Sequence, residues 1–186
     1  MGERINGDMR VRADAAGVAV DREFETFVAS RWRPLLRAGW LLTGSWPSAE
    51  DLVQSALAQV WSAWPRVRHA DEPDAYVRRM LTNQYLGQQR RRSAGEIPSD
   101  VLPERAAPDA TVDSDRRLAL LGALDELPPQ QRAAVVLRYF HDLTLEQTAA
   151  ALECSVGNAK SQTSRALAKL RRSSHLHGLL EGAKHE

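Results

Sequence analysis

The stretch Thr144-Leu-Glu-Gln-Thr-Ala-Ala-Ala-Leu-Glu-Cys-Ser-Val-Gly-Asn-Ala-Lys-Ser-Gln-Thr-Ser-Arg-Ala-Leu-Ala-Lys-Leu-Arg-Arg172 decides how this chain is read. It spells two short helices joined by a tight turn. Thr144 is placed to N-cap the first helix, with Gln147 three residues on in the capping-box position. Glu153-Cys154-Ser155 interrupts the pattern, and Ser155 supplies the next N-cap. In the second helix Val156, Ala159, Thr163, Ala166, Leu167 and Leu170 recur mostly at intervals of three and four, which predicts one inward face. The opposite face carries Asn158, Ser161, Ser164, Arg165 and Arg172, with Lys160 and Lys169 on its flanks. From Val156 to Arg172 there are two Lys, three Arg and no acid. Small side chains behind and a polar, cationic front suit the recognition helix of a helix-turn-helix. There amides and hydroxyls read base edges in a major groove while Lys and Arg hold phosphates. A solvated surface helix, or a docking face for an acidic protein, would carry the same signature, so the motif alone leaves those readings open.

The net charge of +1 over 186 residues hides a strong segregation along the chain. Tyr76 to Arg92 holds five Arg and no acid. Between this block and the last basic helix lie Glu96, Asp100, Glu104, Asp109, Asp113 and Asp115, against Arg105, Arg116 and Arg117. Two basic blocks around an acidic connector point to two nucleic-acid-facing modules whose charges cancel in the sum. Hydrophobic content of 43% and charged content of 26% suffice for cores in one domain or two small ones. The single cysteine, Cys154, excludes an internal disulfide, fits a reducing compartment and suits packing in the turn. No apolar run is long enough to span a membrane, and the first twenty residues lack a signal-peptide pattern.

Helical periodicity runs through both halves, and nothing reads as a hairpin. Phe24, Phe27, Val28, Trp32, Leu35, Leu36, Trp40 and Leu41 predict a helix over 23–42, with Pro34 as a kink or a restart. Thr43 to Pro47 reads as a turn. Ser48-Ala-Glu-Asp51 then opens a helix with acids in its first turn, ending at Pro65. Pro73 starts a third helix that reaches Arg92. Ser93 to Val112, with Gly95, Pro98, Pro103 and Pro108, has no helical or strand period and reads as a linker. Helices over 115–127 and 129–139 precede the helix-turn-helix. The expected fold class is all-α: two small helical domains on a flexible tether. The expected boundaries are a flexible lead at 1–20, a first domain at 21–93, a linker at 94–112, a second domain at 113–175 and a tail at 176–186.

Three motifs in this order resemble the extracytoplasmic-function sigma factors, the smallest sigma subunits of bacterial RNA polymerase, and are particularly similar to the actinobacterial SigE-type branch. Ser48-Ala-Glu-Asp-Leu-Val-Gln-Ser-Ala-Leu-Ala-Gln-Val-Trp61 is similar to the family's region 2.2, which docks on the β′ clamp helices. Asp74-Ala-Tyr-Val-Arg-Arg-Met-Leu-Thr-Asn83 with Arg90-Arg-Arg92 resembles regions 2.3 and 2.4, which melt and read the −10 element. Leu127-Pro-Pro-Gln-Gln-Arg-Ala-Ala-Val-Val-Leu-Arg-Tyr-Phe140 with the helix-turn-helix is similar to region 4, which binds the −35 element and the β flap. The resemblance spans roughly residues 21–175. It implies polymerase contacts at Glu50, Asp51, Gln54, Leu57 and Trp61. It implies −10 contacts at Tyr76, Arg78, Arg79, Asn83, Gln84, Arg90, Arg91 and Arg92, and −35 contacts at Ser155, Asn158, Lys160, Ser161, Ser164, Arg165 and Lys169. Arginines there suit phosphates, and the rings of Tyr76 and Tyr85 suit unpaired bases, although each tyrosine equally suits a core position. The chain departs from the family's pattern at Tyr76, where Trp is frequent, at Ser55, where an acid is frequent, and at Asn158, Ala159 and Gln162. The implied roles therefore carry over while the promoter sequence does not. Gly87 inside a helix marks a bend or a close approach to DNA.

The implied function is promoter-specific initiation with no enzymatic activity and no cofactor, in the cytoplasm. Its partners are the polymerase core and promoter DNA, with an anti-sigma factor as a further candidate and no membrane. No phosphate-binding loop is present, and His175 and His177 lack a Cys or acid at ligand spacing, so no metal site is expected. The five tryptophans fall between Trp32 and Trp64 and read as core of the first domain. The alternative function is a stand-alone helix-turn-helix regulator. A protein-binding adaptor is a further one.

Overall fold

A long first helix ends where the backbone needs a residue without a Cβ. Helix α1 (Glu3–Thr43) closes at Gly44, whose φ of +82° lies in the left-handed region, and the Gly44 N–H donates to the Trp40 carbonyl at 2.8 Å. Ser45 then caps α2 (Trp46–Val67), its hydroxyl accepting the Ser48 N–H at 3.2 Å. The computed structural model describes residues 3–95 and 112–176, and every regular element among them is helical. After α2 come α3 (Pro73–Ser93), α4 (Val112–Asp125) and α5 (Pro129–Val135). A π-helical segment (Val136–Phe140) continues α5 and is followed by α6 (Leu145–Ala151) and α7 (Val156–Leu170).

The first three helices pack around Leu52, Val53, Val60, Trp64, Val77, Leu81 and Tyr85, all within 2% of full burial. Burying each aliphatic side chain of this kind stabilises the fold by about 1.5–3 kcal/mol. Phe24 and Phe27 set their rings against Trp64 at 5.1 and 4.8 Å. At Gly39 a Cβ would stand 3.2 Å from the Ala49 carbonyl oxygen, so α1 and α2 cross almost backbone to backbone. Arg31 on α1 pairs with Asp74 at the start of α3, through Nη2 to Oδ2 at 3.0 Å and through its Nε. The hydrogen bond from Arg31 holds the Asp74 carboxyl below its ordinary range.

Helices α4 to α7 form the second unit, with Leu124, Leu127, Val135 and Ala166 in one cluster and Leu137, Leu143 and Ala151 in another. The units are not held by a tether alone. Ala133 and Val136 belong to the same apolar cluster as the core of α1–α3. Arg132, 6% exposed, donates from Nε to the Leu41 carbonyl at 2.6 Å and also pairs with Asp125. Fully buried Ala133 and Ala134 let α5 approach this closely.

Several boundaries differ from the sequence expectation. The lead expected to be flexible is helical from Glu3, and α1 continues through Pro34. Helix α2 begins at Trp46 rather than Ser48, because Pro47 occupies the first turn, where a missing N–H costs nothing. Glu50 and Asp51 therefore lie beyond the first turn and owe nothing to the helix dipole there. The same helix passes Pro65 and ends at Val67. The α-helix expected to reach Tyr139 gives way to π geometry after Val135, with the His141 N–H donating to the Val136 carbonyl at 3.2 Å. Helix α7 stops at Leu170, short of Arg172. Of the tryptophans, Trp64 is core, while Trp46 and Trp61 are 41% and 42% exposed, Trp46 stacking on Trp40 at 5.3 Å. The expected linker at 94–112 and tail at 176–186 fall almost wholly outside the described residues.

Candidate nucleic-acid interface

The helix-turn-helix forms as its capping residues dictate. Thr144 and Gln147 close a reciprocal capping box, the Thr144 hydroxyl accepting the Gln147 N–H at 3.2 Å and the Gln147 side chain accepting the Thr144 N–H at 2.9 Å. Glu153 takes a φ of +51° in the turn, and the Ser155 hydroxyl accepts the Asn158 N–H at 3.2 Å to start α7. Ala159, Thr163 and Ala166 are buried behind α7, and Thr163 satisfies its hydroxyl on the Ala159 carbonyl at 2.8 Å. In front, Ser155, Asn158, Lys160, Ser164, Arg165 and Lys169 are exposed and Ser161 is half-buried. The Asn158 Oδ1 accepts from Gln162 Nε2 at 3.3 Å, which leaves the Asn158 amide nitrogen as a donor for another group. Val156, expected to face inward, is 42% exposed, because the first turn of α7 projects beyond the unit's core. Cys154 is half-buried, its thiol pushed up by burial and donating to the Ser155 carbonyl at 3.5 Å.

The second basic block lies on α3. Tyr76, Arg78, Arg79, Asn83, Gln84 and Arg92 are half-buried, and Arg90 and Arg91 are exposed at the end of the helix. The Arg79 guanidinium lies 5.0 Å from the centre of the Tyr76 ring. Tyr85 is 2% exposed and its hydroxyl is pushed up to about 12 by burial, so of the two roles open to it the core is the one it fills. Helix α3 does not stand free. The Asn83 amide donates to Glu153 Oε1 at 3.1 Å, and Arg79 Nε lies 3.9 Å from the same oxygen. Tyr76, Arg78 and Arg79 face Leu143, Gln147, Ala150 and Ala151 across a cleft of about 320 Å³. His141 is half-buried, and its pKa is lowered to about 4, first by burial and then by the charge of Arg78.

On α2, Glu50, Asp51 and Gln54 are exposed in a row, with Trp61 further along the helix and its ring 4.8 Å from Phe24. Leu57 does not join this surface. It is 7% exposed and belongs to the core, three residues from Val60 and four from Val53 along the helix, on the same inward side. Glu153 and Arg132 carry contacts that sequence reasoning missed. Nothing local in the sequence marks Glu153, whereas an arginine flanked by buried small and β-branched residues is a signal that Arg132 offered.

Two sigma-70 family models match in succession, region 2 over residues 27–95 and region 4 over residues 117–170. The RNA polymerase sigma-E factor of Streptomyces coelicolor is 40% identical over 149 residues, which is 80% of this chain and 84% of that protein. The chain belongs to the extracytoplasmic-function sigma factors. The ECF RNA polymerase sigma factor SigM of Mycobacterium tuberculosis is 30% identical to this sigma factor over 85% of the chain and 81% of its own length. Among solved structures, the sigma factor RpoE in complex with the anti-sigma factor NepR from Bartonella quintana superposes with a TM-score of 0.65 at 24% identity, covering 81% of this chain and 96% of that one. The structure of CnrH with the cytosolic domain of CnrY gives 0.57 at 22% identity, over 93% and 97%. At these identities the likeness is one of fold. Among the described residues no helix of this sigma factor is long and apolar enough to cross a membrane.

Proposed function

We propose that this sigma factor divides promoter recognition between two helices and engages the polymerase through a third. As a sigma factor it directs promoter-specific transcription initiation by RNA polymerase. In this reading residues 21–93 dock on the β′ clamp helices through Glu50, Asp51, Gln54 and Trp61 and hold the melted −10 strand along α3. Residues 94–112 form the connection through the polymerase. Residues 113–175 dock on the β flap and insert Ser155 to Leu167 into the −35 major groove. Asn158, Ser161 and Ser164 read base edges, while Lys160, Arg165 and Lys169 neutralise phosphates. The protein acts as a dissociable, non-enzymatic subunit in the cytoplasm. The relative RpoE is held by an anti-sigma factor, and a counterpart of that kind is a partner proposed for this chain.

The observation that carries the reading is the front of α7, where exposed polar and cationic side chains stand on a buried backing of Ala159, Thr163 and Ala166. Run-off transcription on a library of promoter fragments tests it, with actinobacterial core polymerase in the presence and absence of the protein. New start sites that depend on the protein are the expected result. Tight binding of a duplex site by the protein alone, with no new starts, would instead establish a stand-alone regulator.

A further inference from the structure

The front of α7 carries two amides that act as one group. Asn158 Oδ1 accepts from Gln162 Nε2 at 3.3 Å, across one turn of the helix. On the assignment of α7 to the −35 major groove, we propose that Gln162 sets the base preference of Asn158, turning it from adenine to guanine at the position it faces.

The backbone beneath the pair is fixed. Asn158 lies in the first turn of α7, its N–H held by the Ser155 hydroxyl at 3.2 Å, and Ala159 and Thr163, next along the chain to the two amides, are buried. Gln162 is half-buried and Asn158 is exposed, so the glutamine is the anchored member and the asparagine is the one that meets a ligand. Side chains on a helix lean toward its N-terminus, which carries the Gln162 amide back over the turn that holds Asn158. Among the described residues, no other side-chain hydrogen bond reaches either amide. A Cβ at Gly157 would meet nothing nearer than Ser155 Oγ at 4.0 Å, so the flank of α7 next to Asn158 is open.

An unrestrained asparagine reads adenine with both arms, its oxygen accepting from N6 and its nitrogen donating to N7. Here the oxygen is turned along the helix toward Gln162. The arm left to the groove is the amide nitrogen, which offers two N–H donors and no acceptor. Paired donors match guanine, whose major-groove edge presents N7 and O6 as acceptors. Thymine presents one acceptor beside a methyl group, and the amino groups of cytosine and adenine would set a donor against a donor. Asn158 and Gln162 are both positions where the chain departs from the family's pattern, so this preference belongs to the chain itself.

The test uses the full-length protein with core polymerase and a promoter library randomised across the −35 element, read by sequencing the run-off transcripts. The parent is expected to favour guanine over adenine by about fivefold or more at one position, a preference that Asn158→Ala erases. Gln162→Leu fills similar space but cannot donate, so the same position should move toward adenine. Gln162→Glu accepts from the Asn158 nitrogen instead, which turns the amide round and should favour adenine or cytosine there. A merely structural role for Gln162 would lower transcription from every library member alike and leave the base ratio unmoved. The proposal is overturned by an unchanged ratio in both Gln162 variants, by a change only at a position that Asn158→Ala does not touch, or by a parent preference there for a base other than guanine. Protein-dependent starts with no base preference anywhere in the −35 element would overturn the assignment of α7 as well.

Discussion

Arg165 stands exposed on α7, one residue before the fully buried Ala166, so its backbone position is fixed by packing while its guanidinium remains available. Arg165→Ala is expected to weaken use of the −35 element by about 1–3 kcal/mol, read as promoter-selective loss in run-off assays. Co-purification with polymerase should be unchanged, and equal loss of both would remove Arg165 from the reading helix. His141 makes a prediction about acid. The unfolded chain takes up a proton near the ordinary histidine value of 6.5, while burial delays uptake in the folded protein to about 4. Between those values the unfolded state binds more protons, so folding stability falls as pH drops through that window. His141→Asn should flatten this part of the pH dependence relative to the parent in urea titrations at pH 6.5 and 5, and parallel curves for both proteins would count against it.

At the level of elements, the strongest local signals proved the most legible. The capping box at Thr144 and Gln147, the cap at Ser155 and the start of α3 at Pro73 were readable because each rests on a local donor–acceptor or φ requirement. Proline was read too strictly. Pro34 and Pro65 both lie inside helices that tertiary packing continues past them. The π geometry at Val136–Phe140 had no counterpart in residue spacing, since a single wider turn leaves the apolar pattern almost unchanged. In the candidate site, exposure on α7 followed from helical period, but the hydrogen bond from Asn83 to Glu153 joins residues 70 positions apart in the chain and left no local trace. Gly87 shows no close neighbour, a Cβ there meeting nothing nearer than Arg90 Nη2 at 3.9 Å. Gly87→Ala should therefore raise stability by about 0.5–1 kcal/mol in chemical denaturation. A stabilised variant that nonetheless loses promoter melting would place DNA against that point of α3.

For the whole molecule, polar faces on α2, α3 and α7 share one framework. The row Glu50, Asp51 and Gln54 is exposed on α2, away from the residues that bury its other side. Asp51→Arg should abolish co-purification with core polymerase while the helical signal and melting temperature stay close to the parent; retained polymerase binding would move the docking face elsewhere. Cooperativity between the units follows from the shared core, in which Ala133, Val136 and the Arg132 bond to the Leu41 carbonyl cross from one unit to the other. That seam has a practical corollary. A backbone cut between Gly95 and Val112 would sever the covalent path and leave the seam untouched. Separately expressed halves carrying residues 1–95 and 112–186 would then recombine into a non-covalent pair, making this chain a natural two-piece reporter of its own assembly.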